Sequence, residues 1–504
     1  MVRVAVRTDA NDVVGTGHLH RCLNIARELV VRGHEVAFLL GHNSSLHEVH
    51  RFGELFTVQQ LNECVESFTV GGSDAVTPHH EIAQDAKSTI GHLATDSFDW
   101  VIVDHYSLND TWVEAVKAKI DCGVLAIDDL GRNWKMPDVL LDSALEAGGS
   151  YESVPTTCST LFGPSYVPLN PMYKTAQNEP EQENRGVVTI FFGGADAPNA
   201  TASTLRALSA VTRKDLSIRV VVGDLNPNND ALRREYASSG VSFLNPADSL
   251  CEHLQVSDAF LGGGGTTTWE RLCLGVPSAT ISIAENQVKM SKGLADAGCL
   301  IYLGDIAQVT AGAVQFTMNR LLDDRELRDD MSLRGRLLVD GFGSSRVSEV
   351  IQPSSPKKIA LRPARESDSL TLFRWVNDPD VRRASLASEL ISWTTHTNWY
   401  KEFLNHPGKH LFIAELNGLP VGQIRFEPID DRLRLSYAVD SLFRGKGFGR
   451  EIVAVGIREL RRIAPNPILA EVRAENEASL RVFRALGFEE RDLSARGVYT
   501  FLLH

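Results

Sequence analysis

The sequence predicts an α/β protein in which two doubly wound halves run in tandem and a smaller, mostly antiparallel α/β unit follows. Three observations carry this. From Arg3 to about Leu141 short apolar runs alternate with helix-period segments, the pattern of a parallel sheet with crossover helices. After the proline-bearing stretch 163–173 and the polar stretch 175–185, the alternation restarts at Val187. Beyond Lys358, strands follow one another through short polar turns instead, as in an antiparallel sheet. A chain of 504 residues exceeds a single core, and roughly 150 residues per domain suggests three.

In the first half, Val2–Val6, Val36–Leu39, Trp100–Val103 and Val124–Ile127 read as buried strands, with helices at Leu23–Arg32 and Asp110–Ile120. Ligands sit at the carboxyl ends of such strands. Asp104, His105 and Tyr106 follow one strand, and Asp128 and Asp129 another, so all are pocket candidates. Turn and N-cap chemistry accounts for the aspartates equally well. The stretch Gly15, Thr16, Gly17, His18, Leu19, His20, Arg21 lies between the first strand and the first helix. A glycine turn opening a helix is an anion site, and His18 sits where it meets a phosphorylated ligand. The alternative is a packing turn with a capping histidine.

The second half has strands at Val187–Phe192, ending in Gly193 and Gly194, at Ile218–Val222, and at Ala259–Leu261, which runs into Gly262–Gly265. Thr266, Thr267, Thr268, Trp269 and Glu270 come next. Glycines admit a pyrophosphate close to the backbone, and the following helix start supplies N–H donors. Glu270 in the first turn suits a ribose diol, though a carboxylate is favoured there without any ligand. Asn286 and Gln287, after the strand Ser278–Ile283, offer amide groups suited to sugar hydroxyls or N-acetyl groups. The expected boundaries are 1–170 and 185–345 for the two Rossmann-like lobes, 346–358 for a linker and 359–504 for the last unit.

In that unit Leu411–Glu415, Leu419–Pro428 and Leu433–Asp440 read as strands, then a helix at Gly449–Arg462, a strand at Ile468–Val472 and a helix at Glu477–Leu486. The loop Arg444, Gly445, Lys446, Gly447, Phe448, Gly449, Arg450 opens the first of these helices. Its N–H groups can ring a pyrophosphate, and its cations add local attraction.

Composition narrows the classes. A formal charge of -13 argues against a general nucleic-acid binder,. Seven widely spaced cysteines, with no Cys-x-x-Cys pair, fit free thiols in a reducing compartment,. No apolar run reaches the roughly 18 residues of a membrane span, and the chain enters directly into a strand. The expectation is a cytoplasmic protein with no nucleic-acid or membrane partner.

Taken together, Arg7–Cys22, Val103–Tyr106, Ile127–Leu130, Leu161–Tyr166, Phe192–Asn199 and Gly263–Gln287 resemble the UDP-sugar hydrolase family of pseudaminic acid biosynthesis, over about residues 1–345. That family removes UDP from UDP-2,4-diacetamido-2,4,6-trideoxy-β-L-altropyranose and has the two-lobed glycosyltransferase-B-type fold. The resemblance implies that His18 is a general base for a water that attacks the anomeric carbon and inverts it. An unperturbed imidazole is largely neutral near pH 7 and able to take that proton. It further implies UDP-sugar contacts at Gly15, Gly17, Arg21, Tyr106, Gly193, Gly194, Gly264, Gly265, Thr266, Thr267, Glu270, Asn286 and Gln287, with no metal. Association with other enzymes of the same sugar pathway is a further expectation.

The Arg-x-x-Gly-x-Gly spacing at Arg444–Gly449 resembles the acetyl-CoA loop of the GNAT superfamily of N-acetyltransferases, over about residues 358–504. Arg374, Trp375, Asn377, Asp378, His396 and Trp399 resemble the member that acetylates the 4-amino group of the same UDP-sugar series. The resemblance implies acetyl-CoA as co-substrate. Its contacts would be Ala438, Val439, Arg444, Gly445, Lys446, Gly447, Gly449, Arg450, Asn476 and Ser479. Phe483 stands where many members carry the tyrosine that protonates the leaving thiolate, so either another group, with Tyr437 and Tyr499 as candidates, or a water does this, or the domain binds acetyl-CoA and turns over slowly. Glu427 and Glu471 are candidate bases, with an outward-facing surface carboxylate the alternative for each.

Overall fold

The computed structural model describes residues 1–11, 16–42, 44, 55–66, 77–177, 186–209, 216–223, 226–245, 249–352, 358–491, 494 and 497–504. The chain divides into two compact units, Met1–Pro353 and Ser354–His504. No helix among the described residues is long and apolar enough to cross a membrane.

The first unit holds two parallel sheets. Strands β1 (Arg3–Thr8), β2 (Glu35–Gly41), β3 (Thr57–Leu61), β4 (Trp100–Asp104), β5 (Gly123–Ile127), β6 (Val139–Asp142) and β7 (Ser159–Phe162) align in the order β3-β2-β1-β4-β5-β6-β7. Alternation along a strand sorts its side chains between two cores. Val4 and Val6 of β1 join Val36, Phe38 and Leu40 of β2 under the helix Gly17–Val31. Ala5, Ala37 and Leu39 face the opposite core, with Trp112 and Val116 of the helix Asp110–Lys117. Both faces are covered, so the strands read as continuous apolar runs.

The second sheet repeats the plan. Strands β8 (Val187–Phe191), β9 (Ser217–Val221), β10 (Ser242–Leu244), β11 (Ala259–Gly263), β12 (Ser278–Ser282) and β13 (Ile301–Asp305) run in the order β10-β9-β8-β11-β12-β13. In each sheet the strand order reverses once, between β1 and β4 and between β8 and β11. Crevices form at such reversals. The segment after β1 carries His18 and β4 ends on Asp104, while one glycine cluster follows β8 and the other runs from the end of β11.

The expected linker needs correction. Residues 346–351 belong to the helix Gly343–Ile351, whose Val347 and Ile351 are fully buried in the core of the first sheet. Ser345 Oγ donates to Glu28 Oε1 at 2.8 Å, and Arg32 pairs with Glu349. An apolar stripe on this last helix draws the chain back onto the first lobe. It passes close beside the outgoing chain: Ser344 Oγ donates to the Leu169 carbonyl at 2.9 Å, and Arg346 Nη1 to that of Ser165 at 2.7 Å. A Cβ at Gly343 would lie 2.0 Å from the Val167 carbonyl oxygen, so this crossing requires glycine.

In the second unit β14 (Ile359–Pro363), β15 (His410–Leu416), β16 (Leu419–Ile429), β17 (Arg432–Val439), β18 (Ile468–Arg473), β19 (Glu489–Glu490) and β20 (Val498–Leu503) form one sheet in the order β14-β15-β16-β17-β18-β20-β19. Only β17 and β18 are parallel, and they pair solely at Leu433↔Ile468 and Arg434↔Leu469. Beyond Arg434 the two strands part, and the sheet opens between them.

Candidate functional site

His18 is the second residue of the helix Gly17–Val31, and its ring is buried against the end of β4. Its Nδ1 lies 2.6 Å from Asp104 Oδ1. Burial pushes the fully enclosed Asp104 carboxyl up, but the Arg21 guanidinium and His18 hold it well below the usual carboxylate range. Asp104 is therefore ionised and accepts from the Nδ1–H tautomer, which leaves Nε2 as the basic nitrogen; Arg21 Nη2 also lies 3.0 Å from Nδ1,. Tyr106 packs edge-on against the imidazole, with ring centroids 4.3 Å apart.

Arg21, expected to contact the UDP-sugar, is ion-paired with two carboxylates of the same lobe. It donates to Asp104 Oδ2 at 2.5 Å from Nε and to Asp104 Oδ1 at 2.6 Å from Nη2. Its Nη1 reaches Asp129 Oδ2 at 2.9 Å, which also accepts from the Tyr106 hydroxyl at 3.2 Å. The geometry makes Arg21 a positioning residue for the His18–Asp104 pair. Gly15 lies outside the described residues.

Next to this pair runs a buried charge network of which the sequence reading named only His105. Arg7, at 0 % exposure, donates to Asp9 Oδ1 at 2.6 Å and to Asp85 Oδ2 at 2.6 Å. Asp9 also faces His105 Nε2 at 3.1 Å, and His105 Nδ1 accepts from the Ser107 N–H at 3.0 Å. The acceptor role of Nδ1 makes Nε2–H the donor to Asp9. The network fixes the turn that follows Asp104. Charged residues at the end of an otherwise apolar strand, Arg7 and Asp9 around Thr8, were the available signal.

The second lobe brings its glycine cluster to the same crevice. A Cβ at Gly17 would lie 3.7 Å from Thr266 Cγ2, so the start of the Gly17–Val31 helix meets the start of the helix Thr267–Leu274. Gly265 has open space around its Cα, as do Gly193, with φ 91°, and Gly194. Gly264 is closely packed, since a Cβ there would meet Ser291 Oγ at 2.5 Å. Gln287 supports the loop: its Oε1 accepts from the Gly264 and Ile283 N–H groups, each at 3.1 Å. Asn286 is exposed at the helix start. Arg271, fully buried, donates from Nη2 to Thr268 Oγ1 at 2.7 Å and to the Gly263 carbonyl at 3.2 Å, pinning the end of β11.

Glu270 has one carboxylate oxygen, Oε2, buried without a partner. Burial raises its pKa to about 7, against opposing contributions from the Tyr173 hydrogen bond, His20 and Arg271. The folded state therefore holds this proton longer than the unfolded chain. Its contribution to stability is complete below about pH 4.5 and fades as pH rises through about 7. In Glu270→Gln the fall of stability across that window is expected to be shallower. Urea midpoints at about pH 5 and about pH 8 measure it, and an unchanged slope counts against it.

In the second unit Ala438 and Val439 lie at the end of β17, past the point where β18 diverges. The loop after them turns at Gly445 and Gly447, with φ 75° and 84°, into the helix Phe448–Leu460. Arg444 does not project toward this helix start. Its Nη2 and Nη1 donate to Asp378 at 2.7 Å and Asp380 at 2.8 Å, and its Nε to the Val439 carbonyl at 3.2 Å. These bonds tie the loop of Arg444, an expected acetyl-CoA contact, to the loop of Asp378 and Asp380. Lys446 Nζ donates to the Leu442 carbonyl at 3.2 Å, and Arg450 is exposed. Asn476 caps the helix Glu477–Ala485 by accepting from the Ser479 N–H at 3.1 Å. Ser479 Oγ lies 3.0 Å from the Tyr437 hydroxyl. Phe483 is buried and packs with Tyr437, Phe488 and Phe501. Glu427 is ion-paired with Arg434 at 2.9 Å, and Glu471 is exposed.

Residues 358–489 match the acetyltransferase (GNAT) domain family. The second unit carries a GNAT domain. Over 358 residues the chain is 23% identical to the spore coat polysaccharide biosynthesis protein SpsG of Bacillus subtilis (strain 168), spanning 70% of this chain and 98% of that protein. An uncharacterized protein of Methanocaldococcus jannaschii is 20% identical over 506 residues, 97% of each chain. Among solved structures, MurG of Acinetobacter baumannii superposes with a TM-score of 0.50 at 15% identity, covering 70% of this chain and 99% of that one. The first unit thus has the glycosyltransferase-B-type fold, as the sequence predicts, and the GNAT domain follows it.

Proposed function

We propose that the chain is a bifunctional enzyme of pseudaminic acid biosynthesis. Its GNAT domain acetylates the 4-amino group of a UDP-sugar, and its first unit hydrolyses the resulting UDP-2,4-diacetamido-2,4,6-trideoxy-β-L-altropyranose. The observation that carries the hydrolase reading is the 2.6 Å His18–Asp104 contact beside the start of the Thr267–Leu274 helix. In this reading UDP lies on Gly264–Thr267 with its ribose at Glu270, and His18 Nε2 faces the anomeric carbon. A water gives its proton to Nε2 as its oxygen attacks that carbon, and the C–O bond to UDP breaks. Asp104 stabilises the imidazolium that forms, and helix N–H groups receive the charge that develops on the departing diphosphate.

In the GNAT domain the amine nitrogen attacks the thioester carbonyl and gives up a proton to solvent water, the C–S bond breaks and the thiolate takes a proton. The Tyr437 hydroxyl, held by Ser479 beside the gap between β17 and β18, supports its assignment as that donor, where Phe483 has no proton to give. Burial keeps the Tyr437 phenol above its usual pKa, so it stays protonated and able to donate,. Tyr437→Phe is expected to lower kcat for thiol release by roughly two orders of magnitude with KM for acetyl-CoA nearly unchanged. Tyr499→Phe is expected to act like wild type. The reverse pattern would assign the donor to Tyr499.

The whole proposal is tested by offering the protein a UDP-4-amino sugar with and without acetyl-CoA and identifying the products by mass spectrometry and NMR. Free diacetamido sugar and UDP, formed only with acetyl-CoA, are expected. Release of UDP only when a second sugar is supplied as acceptor would make the first unit a glycosyltransferase instead.

A further inference from the structure

The face of the GNAT sheet turned away from the helix Phe448–Leu460 carries a cluster of arginines that no part of the mechanism above uses. Along β16, Gly422 and Ile424 pack on that helix, through Ile452 and Gly456. Gln423, Arg425 and Glu427 therefore point to the opposite side. Register places Arg434 of β17 opposite Glu427, and Leu469 beside Arg434 puts Arg473 on the same face of β18.

Arg425 lies with its guanidinium carbon 5.2 Å from the centre of the Trp399 ring. Its Nε is buried and unpartnered, and Glu427 Oε1 is 3.9 Å away, beyond hydrogen-bonding reach. The charges of Arg434 and Arg382 both bear on it. Arg382 Nη1 donates to the carbonyl of Ala387 at 3.2 Å, and Arg473 Nη2 to that of Leu386 at 3.0 Å, so one loop ties these two together. The Nε atoms of Arg382 and Arg473 are likewise buried without a partner, as is Gln423 Oε1.

Gathering like charges is unfavourable, and each buried donor left unpaired adds a desolvation cost. Among these groups Glu427 is the carboxylate that answers, through Arg434 at 2.9 Å. The local excess of positive charge also runs against a chain of formal charge -13. Guanidinium groups with unspent donors match the geometry of phosphate oxygens. We propose that the Arg382, Arg425, Arg434 and Arg473 cluster binds the phosphate-bearing part of the acetyl acceptor. This rests on the acetyl-transfer reading, in which the acceptor is a UDP-sugar, and adds where its phosphates are held, on the sheet face opposite the Tyr437 hydroxyl.

Hydrogen–deuterium exchange on the full chain, titrated with inorganic pyrophosphate and separately with CoA, tests the site. Pyrophosphate is expected to slow exchange in segments 382–399 and 423–434, and Arg425→Gln to weaken that binding by about tenfold or more. Arg425→Lys keeps the charge and the stem over Trp399, and a partial loss there separates the lost fork from misfolding. Protection confined to 444–450, or equal pyrophosphate affinity in all three proteins, would overturn the proposal by sending the anion to the CoA loop or nowhere. The two readings fail separately. Thiol release absent with every amino sugar, while protection still depends on Arg425, would remove acetyl transfer and leave the anion site. Acetylation of a nucleotide-linked amino sugar with the same acceptor KM in Arg425→Gln would do the opposite.

Discussion

His18→Asn is expected to leave UDP-sugar binding nearly intact while kcat for UDP release falls by roughly two or more orders of magnitude. Asparagine can fill the space beside Asp104 and Tyr106, so the fold of the Gly17–Val31 helix start survives. What disappears is a basic nitrogen whose partner nitrogen lies 2.6 Å from an ionised carboxylate that accepts its hydrogen bond in the native protein. Isothermal titration with UDP and a coupled assay of UDP release separate the two quantities. Turnover within a few-fold of wild type would remove His18 from the mechanism, and Arg21, Asp129 and Tyr106 around it would then be scaffolding alone.

Arg7→Met is expected to cost about 3–5 kcal/mol of stability, the range for breaking a buried ion pair from one side. Methionine fills the volume but leaves Asp9 and Asp85, each fully enclosed, facing one another without the cation between them. In the native protein burial pushes the Asp9 carboxyl up, but Arg7 and His105 pull it well below the usual range. That stabilisation is present above the unfolded carboxylate's pKa and is lost as pH falls through the depressed one. The variant is expected to lose stability mostly at neutral pH and to converge on wild type in acid. A loss of equal size at all pH values would show that packing, rather than charge, is what Arg7 supplies.

The long parallel strands were legible because burial on both faces makes their sequence apolar throughout, as in Val36–Leu39 and Trp100–Val103. Strand β3 was not: Gln59 and Gln60 at the sheet's edge carry no such signal. The helix Gly343–Ile351 hid for a related reason. Its Ser344, Ser345, Arg346 and Ser348 look like a solvated linker, yet all are buried because the chain folds back over them. At the site, the glycine turn and His18 were visible as a local pattern. That Asp104, 86 positions away, supplies the second half of the pair is a property of β1 and β4 lying side by side. The resemblances imply ligand contacts for Arg21 and Arg444, but their ion pairs with Asp104, Asp129, Asp378 and Asp380 depend on residues distant in sequence and carry no local signal. The arginine cluster is spread from position 382 to 473, and each member alone reads as an ordinary surface charge.

The side-by-side crossings at Ser165–Leu169 and Gly343–Arg346 have a mechanical consequence. The two lobes of the first unit are joined by two strands of chain at a single edge of the crevice, fastened to each other by hydrogen bonds. Such a joint opposes twisting and sliding while leaving rotation about one line free, as a door is hung. Opening of the crevice would swing Thr266 away from Gly17 and separate the two helix starts, while the His18–Asp104 pair, contained wholly in the first lobe, travels as one piece.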